Sequence, residues 1–172
     1  MLYALAITAN VAGGETLTQM EDVLGLSVEE LTPYLYAYKE ALASGNKYKL
    51  DLANSIWFKE DDSLTVNPDF LQINADWYDA ELYKAPFDHS TLKESNHWVS
   101  DKTDGMIEDI LDEIPDEAIM YLINAIVFDA EWENIYKEND VMTDVFTTEN
   151  GSGQIAELMH SEEDEYLEDE NT

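Results

Sequence analysis

Two strings constrain this chain more than anything else in it: LDLANSIWF, from Leu50 to Phe58, and YLINAIVFDAEW, from Tyr121 to Trp132. Each is too apolar for a strand with a solvated face, and each carries an asparagine in its interior, Asn54 in the first and Asn124 in the second. In a strand buried on both faces, an amide costs free energy unless hydrogen-bond partners meet it. The strings therefore predict a sheet with a structural lock built into it.

Local patterns fill in the rest. Gly13 and Gly14 predict a turn, and Thr16 to Gln19 forms a capping box opening a short helix that Gly25 closes. Ser27 and Glu30 make a second box, followed by Leu31, Tyr34, Leu35, Tyr38, Ala41 and Leu42 on one helical face and Gly45-Asn46 as the stop. From Tyr48 the period becomes two, with Tyr48, Leu50, Leu52, Asn54, Ile56 and Phe58 sharing a face of a long strand. Asn67-Pro68 starts a helix carrying Phe70, Leu71, Ile73, Asn74 and Trp77. Glu81 to Ala85 is a short strand ended by Pro86, and Thr91 with Glu94 caps the next helix. Ile119 to Phe128 is apolar on both alternating faces apart from Asn124, the pattern of a central strand covered on each side. Val145 to Met159, with Asn150-Gly151 near its middle, predicts a hairpin. The fold class is α+β, and neither repeats nor a linker divide the chain.

These segments carry a resemblance. YALAITANVAGGETLTQMEDVLG (Tyr3 to Gly25) resembles the end of the second helix and the whole third helix of the serpins, serine protease inhibitors that insert their own reactive loop into a sheet. LANSIWF is similar to the second strand of their sheet A. SNHWVSDKTDGMIEDIL (Ser95 to Leu111), through Asn96, Trp98, Thr103 and Gly105, resembles the IN-x-WV...T-x-GKI segment of helix F. NAIVFDAEW is similar to the third strand of sheet A running into the breach. The chain is identified as a member of that family over residues 1–172, from the end of helix B through the early strands of sheet C. The implied architecture is a partial serpin fold, with helices packed on part of sheet A plus a hairpin of sheet C.

The resemblance implies roles as well. It places Asn124 in the shutter of sheet A, Trp132 in the breach and Asn54 on strand 2, with Asn96, Trp98, Thr103 and Gly105 in helix F. The family partners of Asn124, a serine at the start of helix B and a histidine of strand 5, have no counterpart here, so its amide is expected to go unsatisfied. Ser95 replaces the usual isoleucine before Asn96, which implies weaker docking of helix F. The parent is expected to be a secreted serine protease inhibitor, any signal peptide lying upstream of Met1. Nothing in the chain matches the reactive-site loop, so the chain by itself is expected not to inhibit, and its open strand 119–128 is expected to drive self-association. The alternative is a non-inhibitory serpin-like binding module using its acidic surface.

Charge sets the partner classes. The 39 acidic residues against 8 basic ones give a formal charge of -31, which repels nucleic acid, since phosphate binding needs lysines and arginines to displace counterions. A basic partner fits that charge better. At 172 residues the chain is long enough for a sizeable core. The absence of cysteine excludes a disulfide scaffold, a zinc ribbon and thiol catalysis. No stretch is long and apolar enough to span a membrane, and the opening MLYALAITANVA lacks the basic n-region of a signal peptide, the first lysine being Lys39.

Motifs for chemistry are thin. His89, His97 and His160 lack zinc-site spacing. Around Asp101 to Gly105, Ser100 and Lys102 stand where a calcium loop would need oxygen ligands and no glutamate closes it, so neither metal nor cofactor is expected. Asp88-His89-Ser90 has triad residue types, but neighbours in sequence point apart, and Gly151-Ser152-Gly153 lacks the spacing of a nucleophile elbow. The chain is not expected to be an enzyme. Asn150-Gly151-Ser152 is a formal glycosylation sequon that a hairpin turn already explains, and Glu162 to Glu170 is a solvated acidic run.

Overall fold

The computed structural model describes residues 2–42, 47–132 and 136–161. They form two compact units, Met1–Ala130 and Glu131–Thr172. The first is built around strand β1 (Tyr48–Lys59), which pairs in parallel with β2 (Ala80–Ala85) and antiparallel with β3 (Met120–Ala130). The sheet order is β2-β1-β3. Both predicted long strands are present, and their register sets Asn54 directly opposite Asn124.

Strand alternation sends successive side chains to opposite faces. Helices α1 (Leu2–Ala9), α3 (Val28–Ala41) and α4 (Pro68–Tyr78) cover one face. There Tyr3, Ala6, Ile7, Leu31, Leu35 and Tyr78 pack with Leu52 and Leu122, while Phe70 packs on Ile56 and Ala80. Helix α5 (His89–Lys102) covers the other face, laying Trp98 and Val99 against Trp57, Ala85, Ile123 and Ala125. The middles of β1 and β3 are thus apolar on both sides because each side has its own helical layer.

β3 lies at the edge of this sheet. Among the described residues no strand pairs with its outer side, and Ile126 and Phe128, near its end, are exposed, Phe128 at 68%. The helical layer does not reach that far along the sheet.

Helix starts follow the local chemistry with two corrections. The Ser27–Glu30 capping box forms in both directions at the start of α3, and the Asn67 side chain accepts from Asp69 N at the start of α4. The first helical signal, Thr16–Gln19, does not cap. Helix α2 (Gly14–Leu24) begins earlier, with Gly13 in the cap position, so Thr16 lies inside the helix; Gly25 closes it at φ 76°. Likewise Thr91 with Glu94 does not cap α5. Asp88 does, accepting from Ser90 N and Thr91 N, while the Thr91 hydroxyl is already engaged by Phe87 N. The stop at Gly45-Asn46 lies outside the described residues.

The two capping signals should therefore separate in experiment. Ser27→Ala is expected to cost about 1 kcal/mol and Thr16→Ala close to nothing. Thermal unfolding checks this, as about 1 kcal/mol lowers Tm by about 2–4 °C in a chain of this size.

The second unit holds a 3-10 turn (Glu138–Asp140) and the hairpin of β4 (Val141–Thr147) with β5 (Gly153–Met159), which begins four residues earlier than its predicted start at Val145. Asn150-Gly151 forms the turn: Gly151 takes φ 81°, its N–H donates to the Thr148 carbonyl, and Ser152 N donates to Asn150 Oδ1. The run from Glu162 to Glu170 lies outside the described residues.

Candidate functional site

The amide pair at the middle of the sheet is the first feature. Asn124 Nδ2 donates to Asn54 Oδ1 at 2.7 Å, and Asn54 Nδ2 donates to the Tyr78 carbonyl at 2.6 Å. Tyr78 ends α4, where the last carbonyls of a helix have no partner of their own, so Asn54 satisfies an orphan acceptor. The Tyr78 hydroxyl continues the network at 3.0 Å from the Thr32 hydroxyl and accepts from Asn10 Nδ2 at 3.3 Å. The expectation that Asn124 goes unsatisfied is therefore wrong: cross-strand register supplies a partner from within the chain. Asn54 is buried, at 3% exposure, and Asn124 is half-buried.

The helix α5 residues serve its own architecture. Asn96 holds the segment that follows the helix, donating through Nδ2 to the Leu111 carbonyl at 2.8 Å and accepting at Oδ1 from the N–H groups of Ile110 and Leu111. Thr103 is fully buried; its hydroxyl donates to the Val99 carbonyl and accepts from Ile107 N. Gly105 takes φ 77° and returns its N–H to the Ser100 carbonyl, which closes the helix end. The segment Asp101 to Gly105 is thus the end of the helix and its turn.

Trp98 leads to a residue that sequence reasoning passed over. Its indole Nε1 donates to Glu81 Oε2 at 2.9 Å, Tyr83 OH donates to the same oxygen, and Lys102 Nζ lies 2.5 Å from Glu81 Oε1. The Lys102 bond, then the Tyr83 bond, hold the Glu81 carboxyl at a pKa of about 2, burial opposing them. Burial first, and the Glu81 contact second, push the Tyr83 phenol up to about 12. A depressed carboxylate favours the fold above its ordinary pKa near 4.5, and that contribution disappears as pH falls through about 2. No local signal singles Glu81 out, since Asp79 shares the stretch between Tyr78 and Tyr83 with it. Ser95, the departure from the family pattern, is buried with its hydroxyl on the Leu92 carbonyl of its own helix.

The remaining candidates stay apart. Trp132 lies in the second unit and is 73% exposed. His97 meets Asp101 at 3.5 Å on the helix surface, and among the described residues no three metal-ligating side chains gather. Ser90 Oγ donates to Asp88 Oδ1 at 2.6 Å beside the helix cap, a bond that does not involve His89.

Residues 1–172 match the family model described as Serpin (serine protease inhibitor). The chain belongs to the serpin family. Among solved structures it is similar to a thermophilic serpin, tengpin, in the latent state, at 52% identity and TM-score 0.89, covering 99% of this chain and 47% of that one. Among curated relatives it is 31% identical to Serpin-Z2A of Oryza sativa subsp. japonica, over 96% of this chain and 41% of the relative. It is 26% identical to Serpin B11 of Homo sapiens, over 93% of this chain and 46% of the relative. The chain thus spans between 32% and 47% of the length of these and similar serpins, and its helices, three-stranded sheet and hairpin form a partial serpin fold.

Proposed function

We propose that the chain is the N-terminal half of a secreted inhibitor of serine proteases whose reactive loop, once attacked, enters sheet A beside β3. In this reading residues 1–172 are one partial serpin domain, with β2, β1 and β3 as strands 1 to 3 of sheet A, α5 as helix F and the β4–β5 hairpin in sheet C. Asn124 belongs to the shutter, Asn54 to strand 2 and Trp132 to the breach. The observation that carries the reading is the outer side of β3, which no described strand occupies while its inner side is fully paired with β1. Secretion is carried over from the family.

The chain itself lacks a segment resembling the reactive loop and is expected to be a substrate of proteases. Incubation with trypsin-like, chymotrypsin-like and subtilisin-like enzymes should give cleavage and no SDS-resistant complex. A covalent complex with any of them would overturn the reading of this chain.

The formal charge of -31 favours a second reading, a non-inhibitory binding module that meets a basic partner through its acidic surface. Sequence following Thr172 separates the two. An inhibitory loop needs small residues before its scissile bond in order to enter a sheet.

A further inference from the structure

We propose that Glu81 is the clasp that fastens α5 to the sheet, so that its engagement sets how readily the helix lifts from the face formed by Trp57 and Ile123. Both carboxylate oxygens are in use. Oε2 receives the Trp98 indole and the Tyr83 hydroxyl, and Oε1 receives the Lys102 ammonium. Trp98 and Lys102 stand one helical turn apart on α5, so a single β2 carboxylate grips the helix at two successive points.

The surrounding groups reinforce the grip. The Lys102 ammonium lies 5.8 Å from the centre of the Trp98 ring, and Tyr83 stacks on Trp57 at 4.1 Å, which fixes the direction of its hydroxyl. Ser95, less than one turn before Trp98, turns its hydroxyl back onto its own helix and adds little apolar area to the interface. The second half of α5 is held by charge-assisted hydrogen bonds, which are stronger than neutral ones, in addition to the packing of Trp98 and Val99. Glu81 and Lys102 keep part of their side-chain surface in water, so solvent can replace the bonds without opening the core beneath. The inference concerns the docking of α5 alone, and it stands whether or not the parent traps proteases.

Amide hydrogen exchange on the intact chain at low salt tests it. Glu81→Gln keeps the size of the side chain and removes its charge. It is expected to speed exchange in α5 about tenfold while α1 and α3 keep their rates. Lys102→Met should act in the same direction, and the double variant should exchange no faster than about twice the quicker single variant, because both remove one interaction. Unchanged exchange in α5, acceleration by one factor in every element, or additive effects in the double variant would overturn the proposal. Should Glu81→Gln fail to fold, Lys102→Met and Lys102→Arg decide: the first must speed α5 and the second must not.

Discussion

In molar salt the chain is expected to form dimers and larger species, whereas at millimolar salt it should run as a monomer. The attraction lies on β3, where the backbone of the outer side is open among the described residues and no charge interrupts the strand before Asp129. An apolar strand edge of this kind is a template for another chain, and natural proteins normally cover or charge it. The formal charge of -31 opposes the encounter at long range. Salt removes that opposition, the Debye length falling from about 30 Å at 0.01 M to about 3 Å at 1 M. Light scattering across a salt series should show mass rising with ionic strength. The double variant Ile126→Lys and Phe128→Lys, at two exposed positions of the edge strand, should stay monomeric at every salt concentration. A compact monomer of the unmodified chain at both extremes would show that the edge is closed by other means.

Asn54→Leu is expected to destabilise the first unit by about 3 kcal/mol, among the larger effects a single substitution can have. The substitution orphans the Tyr78 carbonyl on one side and the Asn124 amide on the other. Each buried polar group left without a partner costs about 1–3 kcal/mol. Asn124→Ala should cost less, about 1–2 kcal/mol, because it orphans only Asn54 Oδ1 and its own site is half-buried. Urea unfolding of both variants against the parent chain measures the difference. A neutral Asn54→Leu would mean that the network through Tyr78 contributes nothing to stability.

Much of the fold is legible in the sequence because its signals are local. The Ser27 box, the Asn67-Pro68 start and the Asn150-Gly151 turn each depend on a few neighbouring residues, and each forms. Thr16 and Thr91 show the limit. Both fit the same capping pattern as Ser27, yet α2 begins earlier at Gly14, and the Thr91 hydroxyl is engaged by Phe87 N behind a stronger cap at Asp88.

The candidate site depends on distant pairings and was only half legible. That Asn54 and Asn124 needed partners follows from their apolar surroundings. That they partner each other follows from the β1–β3 register, which no local pattern specifies. Glu81 is invisible for a similar reason: in a short strand it has the pattern of a solvated residue, and two of its three donors come from α5.

Hydrogen exchange of β3 with and without an added strand tests the central claim most directly. The probe is an extended peptide of alanine, serine and threonine, flanked by lysines and long enough to span Met120–Ala130. If β3 is the strand beside which a loop enters the sheet, its outward amides should gain protection as peptide is added, while β2 and the β4–β5 hairpin keep their rates. Protection confined to β2 or to the hairpin, or no protection at saturating peptide, would contradict the account.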